Sequence, residues 1–299
     1  MRGIIAAGGQ GTRLRPALDK CQQLIYDKPL LYYLLTNVMK AGARDIFVSC
    51  NPLNISAAEA LFKNADKEFG VNLTFSCEGR EPGPAGVFIK PGVREFIGNE
   101  PVCITLDGIY NGGNFNQCMA EISGVSVGAT VLAVQEPDPR PYGWFKMDEY
   151  QTVVDIIEKP KFTPEPNCLY LVQTGIYAYG PEVVDYAEKL ELSKRGEYEV
   201  TDLHKLFLQE GKLTIQTLGH GKDGEFMWND PGTPEKLLWL ANKVQSIQKL
   251  TSCLVGSPHW QALKNCWVTA DRLLEICTER QGAMYYDSLA NAVSLVSEP

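Results

Sequence analysis

The sequence predicts an α/β fold, a mainly parallel sheet flanked by helices and followed by a small helical extension. Three observations lead there. Short, fully apolar runs alternate with helix-spaced segments; a glycine-rich string follows the first apolar run directly; and the last fifth of the chain carries helical patterning alone. Apolar runs of strand length separated by helices are what a parallel sheet covered on both faces requires. In order, Gly3–Ala7 reads as a buried strand, Pro29–Ala41 as a helix and Asp45–Cys50 as a second buried strand. Ala57–Phe69 has helical spacing, Leu73–Cys77 is strand-like, and Val102–Asp107 is a strand that stops on an aspartate. Asn114–Ile122 reads as a helix and Ala129–Val134 as a strand. Ligands of such sheets sit beyond the carboxyl ends of the strands, where Gly8–Gly11 and Asp107 both emerge.

The middle of the chain changes texture. Trp144–Met147, Val153–Ile157 and Tyr170–Tyr179 read as strands joined by turns rich in Pro and Asp, a partly antiparallel extension of the sheet. Helices are expected at Pro181–Leu190 and Val200–Glu210, then a strand at Leu213–Leu218. Beyond Trp228-Asn229-Asp230-Pro231-Gly232-Thr233 the pattern is helical, with Ser257-Pro258 and Thr269 as helix starts. The expected organisation is a core over residues 1–245, with a nucleotide-side half to about 135 and a second half over 136–245, and a helical segment over 246–299.

Composition excludes several classes of function. The 299 residues are 44% hydrophobic, ample for a large core, since a chain of this size buries about 75% of its extended surface. With 28 Lys and Arg against 36 Asp and Glu, the net charge is −8, the wrong sign for a duplex nucleic acid or an anionic membrane partner. No apolar run approaches the roughly 20 residues of a membrane span, and the first residues lack a signal-peptide layout, so a cytoplasmic protein is expected. The nine cysteines are scattered and never form Cys-x-x-Cys, as expected of buried thiols in a reducing compartment. Three histidines without metal spacing make a His-built metal site or a catalytic triad improbable. His204 falls in a helix with Leu203, Leu206 and Phe207, where packing or exposure outweighs catalysis. Gly124-Val125-Ser126-Val127-Gly128 matches a nucleophile elbow in letters only, because it precedes a strand instead of joining a strand to a helix.

The chemistry-bearing signal is Gly8-Gly9-Gln10-Gly11-Thr12-Arg13-Leu14-Arg15-Pro16, directly after the first strand. Glycines let backbone N–H groups approach phosphate oxygens with no Cβ in the way, and Arg13, Arg15 and Lys20 supply charge. The string is neither a P-loop nor the dinucleotide Gly-x-Gly-x-x-Gly, which sets a nicotinamide oxidoreductase aside. With Leu24-Ile25-Tyr26-Asp27-Lys28-Pro29 it resembles the sugar-1-phosphate nucleotidyltransferases, most of all their glucose-1-phosphate thymidylyltransferase branch. The resemblance continues through Tyr142-Gly143, Glu158-Lys159-Pro160, Thr174-Gly175-Ile176-Tyr177, Arg195-Gly196-Glu197-Tyr198-Glu199-Val200-Thr201-Asp202 and Asp230-Pro231-Gly232-Thr233, in order along nearly the whole chain.

The resemblance implies a Rossmann-like mixed sheet and an enzyme in which a hexose-1-phosphate oxygen attacks the α-phosphorus of a nucleoside triphosphate (dTTP in that branch). The products would be an NDP-sugar and pyrophosphate. It implies triphosphate binding by Ala7, Gly8, Gly9, Gly11, Thr12 and Arg13, with Arg13 and Lys20 on the phosphates and Gly83 and Gly86 at the base. It further implies Mg²⁺ held by Asp107 and Asp230, a pair of hard oxygen donors suited to that ion. On the sugar side, Glu158 would accept from hydroxyls, Lys159 would bind the phosphate, Tyr142, Gly143, Thr174 and Gly175 would line the pocket, and Arg195 would add a second phosphate contact. The C-terminal helices imply a homotetramer with a regulatory nucleotide-sugar site.

The chain departs from the family pattern at the substrate site. The base loop, usually Gly-Leu-Ala-Gln-Ala, reads Gly83-Pro84-Ala85-Gly86-Val87, so Gly86 replaces a base-reading amide. The usual Gly-Asp-Asn has become Leu106-Asp107-Gly108. The stretch from Pro16 to Lys20 is a few residues short, and Cys21-Gln22-Gln23-Leu24 lacks the usual proline. Two readings fit: an enzyme with an unusual nucleotide or sugar-phosphate substrate, or a homologue that binds nucleotide or NDP-sugar without turnover and regulates a partner.

Overall fold

The computed structural model describes residues 1–9, 14, 20–77, 83–221 and 224–297. In chain order the first half contains β1 (Arg2–Ala7), β2 (Leu24–Ile25), β3 (Lys28–Pro29), α1 (Leu30–Lys40), β4 (Asp45–Cys50), α2 (Ile55–Leu61), α3 (Ala65–Glu68) and β5 (Asn72–Ser76). A 3-10 turn at Pro84–Ile89 leads to α4 (Val93–Ile97), β6 (Val102–Thr105), β7 (Ile109–Asn111), α5 (Phe115–Ile122) and β8 (Ala129–Glu136). Then come β9 (Gly143–Met147), β10 (Val153–Glu158), β11 (Tyr170–Tyr179), α6 (Val183–Ala187), α7 (Val200–Gln209), β12 (Leu213–Thr217) and β13 (Met227–Asn229). Four helices end the chain: α8 (Pro234–Thr251), α9 (Pro258–Lys264), α10 (Ala270–Glu279) and α11 (Met284–Ser297).

Nine strands share one sheet. The run β5-β4-β1-β6 is parallel, and β12 adds a parallel pair with β8. The long strand β11 runs antiparallel to β6, β8 and β9, and β9 and β10 form a hairpin at the edge. This is the mixed, mainly parallel sheet with an antiparallel extension that the sequence predicts. The parallel strands are apolar throughout because helices cover both faces, and two core clusters result, one on each side. α1 lies on one face with Leu30 to Met39 buried without interruption.

Two expectations are corrected in detail. The helix expected over Ala57–Phe69 is two short helices, α2 and α3, broken after Leu61. Phe62 and Phe69, on either side of α3, both pack on Tyr32, with ring centroids 5.8 and 5.9 Å away. The helix expected over Pro181–Leu190 keeps only its centre, Val183–Ala187. The Gly124–Gly128 string leads from α5 into β8, so it has no elbow geometry. α8 runs unbroken across residue 246, from a start at Pro234 capped by Thr233, whose side chain accepts from the Lys236 amide. Ser257 and Thr269 cap α9 and α10 in the same way.

The C-terminal helices are anchored to the first third of the chain by two polar clusters. In one, the buried Lys28 Nζ lies 2.5 Å from Asp27 and 3.1 Å from Gln248 Oε1 of α8, between the rings of Tyr33 and Tyr285. Gln248 also donates to Asp27 at 2.9 Å. In the other, Glu68 of α3 accepts from Arg280 (3.0 Å) and faces the buried His259 Nε2 of α9 (3.2 Å). Burial alone would raise the Glu68 pKa, but the hydrogen bonds and charges of His259 and Arg280 win and hold it at about 2, against 4.5 ordinarily. A carboxyl depressed on folding stabilises above its unfolded pKa, and that stability is lost as pH falls through the folded one. The melting temperature should therefore fall as pH drops from about 4.5 toward 2. Glu68→Gln should melt lower at pH 7 yet lose less over that interval, which thermal denaturation followed by circular dichroism would check.

Candidate active site

β11 is not continuous in its pairing. Its register against β8 shifts between Gln173 and Tyr177, so Thr174 and Gly175 form a bulge near the middle of the sheet. Gly175 has φ +100°, and a Cβ there would lie 3.3 Å from Leu106 Cβ. Its carbonyl accepts from the Leu106 amide at 2.8 Å, which fixes the backbone just before Asp107. The Thr174 carbonyl accepts twice, from Tyr110 Oη (2.6 Å) and Trp228 Nε1 (3.3 Å). Those donors sit opposite each other on a two-stranded ribbon, β7 against β13, paired in the register Tyr110↔Trp228 and Ile109↔Asn229.

That ribbon brings the two aspartates together. Asp107 lies two residues before Ile109 and Asp230 one residue after Asn229, so both carboxylates leave the same end of the ribbon. Tyr110, its hydroxyl pKa raised mainly by burial, feels the charge of both. Each carboxylate is ion-paired to a lysine, Asp107 to Lys20 and Asp230 to Lys236. Lys20 belongs to a 3-10 turn, Lys20–Gln22, with its stem buried. Of the glycine-rich loop, Ala7 ends β1 and Gly8 and Gly9 follow it among the described residues; Gly11, Thr12 and Arg13 lie outside them. The Ala7 carbonyl accepts from Asn54 Nδ2 at 3.1 Å.

The edge hairpin forms the opposite wall. The pairing Gly143↔Glu158 places Tyr142, Gly143, Glu158 and Lys159 at one end of β9 and β10, closed by the Lys159 amide donating to the Tyr142 carbonyl at 2.9 Å. Lys159 takes a positive φ of 44° and its Nζ stands 3.4 Å from Glu158 Oε1. Arg195 joins them: its Nη1 lies 3.1 Å from Glu158 Oε1 and 3.5 Å from Glu199, and it also pairs with Glu197. Gly83 precedes and Gly86 lies within the 3-10 turn before α4, where Gly86 N donates to the Gly83 carbonyl (3.2 Å) and Ala85 N to that of Tyr198 (3.1 Å). Tyr142 closes the ring of contacts, since its hydroxyl accepts from Lys236 at 3.2 Å and its ring lies 5.1 Å from that of Trp228. Contacts thus link Lys20, Asp107, Tyr142, Glu158, Lys159, Thr174, Arg195 and Asp230 in one series, which does not include Gly8, Gly9, Gly83 or Gly86.

Sequence reasoning missed four contributors. Tyr110 and Trp228 look like ordinary core aromatics, and only the bulge in β11 gives their polar atoms a task. Lys236 carried a signal: a lysine in the first turn of a helix opposes the helix dipole and needs a carboxylate nearby. Thr201, inside a quoted motif, donates to Glu158 Oε2 at 2.6 Å. Among the described residues, no group of three or more His, Cys, Asp and Glu gathers to hold a metal, so a cation here needs oxygens from substrate or water beside Asp107 and Asp230.

Residues 2–247 match the family model for nucleotidyl transferase. The chain belongs to that family. A glucose-1-phosphate thymidylyltransferase of Neisseria meningitidis is 36% identical over 280 residues, covering 92% of this chain and 93% of the relative. One from Mycolicibacterium smegmatis is 36% identical over 277 residues, covering 91% and 92%. A Bacillus anthracis protein assigned as a glucose-1-phosphate thymidylyltransferase, solved with sucrose, superposes with a TM-score of 0.69 at 27% identity, covering 81% of this chain and 94% of its own. A UDP-glucose pyrophosphorylase at 19% identity shares the fold, with a TM-score of 0.63. In this nucleotidyltransferase the bulge holds the ribbon that carries Asp107 and Asp230. Gly175→Ala should cost about 1–3 kcal/mol of stability from backbone strain, and lower nucleotidyl transfer by displacing Leu106 and Asp107; urea unfolding and a pyrophosphate assay would measure both.

Proposed function

We propose that this nucleotidyltransferase joins the nucleotidyl group of dTTP to glucose 1-phosphate, releasing pyrophosphate. The observation carrying the proposal is the convergence of Asp107 and Asp230 on one ribbon end, facing the Tyr142–Glu158–Lys159 wall across Lys236. The names of the relatives supply the particular nucleotide and sugar. The attack needs no covalent intermediate, so the protein's work is to hold two anions in line and neutralise their charge. Lys20, now on Asp107, would move to the triphosphate as it enters beyond β1, together with Arg13. Lys159 and Arg195 would take the sugar phosphate, leaving Glu158 to accept from sugar hydroxyls. The pair of hard oxygen donors fits Mg²⁺, with Asp107 and Asp230 as its protein ligands. When bound, that ion would neutralise triphosphate charge.

At the base, the Gly86 turn offers backbone groups in place of a side-chain amide. Discrimination between dTTP and UTP should then stay within the about 10- to 200-fold expected of apolar fit alone. The C-terminal helices we assign to a homotetramer and its regulation by nucleotide sugar. A cavity of about 330 Å³ between α1, β7, α5 and α8–α9, lined by Tyr33, Lys40, Asn111, Phe115, Trp260 and Lys264, is the regulatory pocket on that reading. Light scattering should give four chains per particle.

The decisive experiment incubates the full chain with Mg²⁺, a panel of nucleoside triphosphates and a panel of sugar 1-phosphates. Pyrophosphate is expected with dTTP and glucose 1-phosphate, and Asp107→Asn or Asp230→Asn should lower kcat by at least about 10²-fold, as loss of a transition-state charge partner does. Turnover from no pair in the panel, or full activity of both variants, would overturn the assignment.

A further inference from the structure

Four buried side chains stand end to end behind the sugar wall. Thr201 and His204 lie three residues apart on one face of α7, and Gln173 and Tyr179 lie on β11; Thr201, His204 and Tyr179 are wholly buried and Gln173 nearly so. Tyr179 Oη is 2.6 Å from His204 Nε2, and His204 Nδ1 is 2.9 Å from Gln173 Oε1. Gln173 Nε2 faces Thr201 Oγ1 at a longer 3.4 Å, and Thr201 Oγ1 lies 2.6 Å from Glu158 Oε2.

The direction of every proton in this series follows from chemistry. An ionised carboxylate only accepts, so Thr201 donates to Glu158 and its lone pair accepts from the Gln173 amide. Gln173 Oε1 then needs a donor, which makes His204 the Nδ1–H tautomer, and Nε2 is left to accept from Tyr179. Burial supports that neutral ring, holding the His204 pKa down to about 3. All four donors thus point one way and end on one oxygen of one carboxylate, an arrangement in which each hydrogen bond polarises the next. The backbone is shaped to fit: a Cβ on Gly143 would come within 2.5 Å of Gln173 Nε2 and 2.9 Å of Thr201 Oγ1.

We infer that Thr201, Gln173, His204 and Tyr179 are positioning residues that lock Glu158 through Oε2 and present Oε1 alone to the sugar. Oε1 is the oxygen that Arg195 and Lys159 reach in this structure, which marks it as the one facing the cleft. The inference rests on the assignment of Glu158 as the acceptor of sugar hydroxyls. A carboxylate held on one side loses little conformational freedom when the sugar arrives, and that saving appears in sugar binding. A role confined to packing would lower stability without singling out one substrate.

The test is steady-state kinetics of the full chain with Mg²⁺, dTTP and glucose 1-phosphate. Thr201→Val, which keeps shape and removes the hydroxyl, should raise KM for glucose 1-phosphate about tenfold, a typical cost for a lost hydrogen bond to a charged group. KM for dTTP should change less than about twofold, the margin being that of an untouched site. Thr201→Ser should restore the wild-type value. His204→Phe should give a smaller rise with the same selectivity, and in a Glu158→Gln background Thr201→Val should add nothing. Should Thr201→Val fail to fold, Thr201→Ala makes the same comparison. If Glu158→Gln raises KM for glucose 1-phosphate and neither Thr201→Val nor Thr201→Ala does, the relay is overturned and the sugar site stands. If Glu158→Gln leaves that KM unchanged, both fall.

Discussion

One peptide carbonyl ties the sheet to the ribbon that bears the paired aspartates. The Thr174 oxygen sits at a bulge in the strand that joins the parallel and antiparallel parts of the sheet, and it accepts from Tyr110 and Trp228. Those two aromatics seat the β7–β13 ribbon on the sheet, and the ribbon end carries Asp107 and Asp230. A carbonyl buried without a donor would cost about 1–3 kcal/mol, so sheet and ribbon are held together by an obligation to pair a backbone group as well as by apolar contact. The same bulge frees Gly175 to bond Leu106 and leaves Gln173 facing α7. The acidic pair and the Tyr142–Glu158 hairpin end therefore take their relative position from a single irregularity in β11.

The two halves of the chain solve different problems. The parallel run β5-β4-β1-β6 buries apolar strands between helices and delivers the glycine-rich loop at strand ends. The antiparallel part adds a hairpin whose open end, away from its turn at Asp148–Gln151, carries Glu158 and Lys159. In this structure Lys20 and Lys236 neutralise the acidic pair, while Glu158, Glu197 and Glu199 surround Arg195. On the proposed roles, each described charge assigned to a phosphate or a cation, Lys20, Lys159, Arg195, Asp107 and Asp230, has an internal counter-charge. Substrate binding is in that respect an exchange of partners, and the gross electrostatic attraction overstates the net gain.

Most of the fold was legible because periodicity reports burial directly: β1, β4, β6 and β11 fall where apolar runs fall. The division of Ala57–Phe69 was not legible, since Phe62 and Phe69 fit one helical face on paper and their shared partner Tyr32 comes from elsewhere in the chain. Within the site, residues in recognisable strings, such as Asp230 and Glu158, could be picked out by eye. Tyr110, Trp228 and Thr201 could not, because their roles depend on where a carbonyl or carboxylate from a distant strand ends up. Arg195 was expected as a phosphate contact; Glu197 and Glu199 stand beside it in the sequence, but its pairing with Glu158, 37 residues earlier, could not be read from local spacing.

The buried Lys28 has a consequence for how the chain is made. Its ammonium is satisfied by Asp27 beside it and by Gln248, 220 residues later. While the ribosome is still adding the middle of the sheet, the β2–β3 hairpin has no helix to close over it, and water must solvate that ammonium. The amino-terminal part of the nascent chain can collapse around β1 and β4 early, but its final seal waits for α8 to emerge from the exit tunnel. A polypeptide released before that point would carry a hydrated lysine in what should be its dry interior.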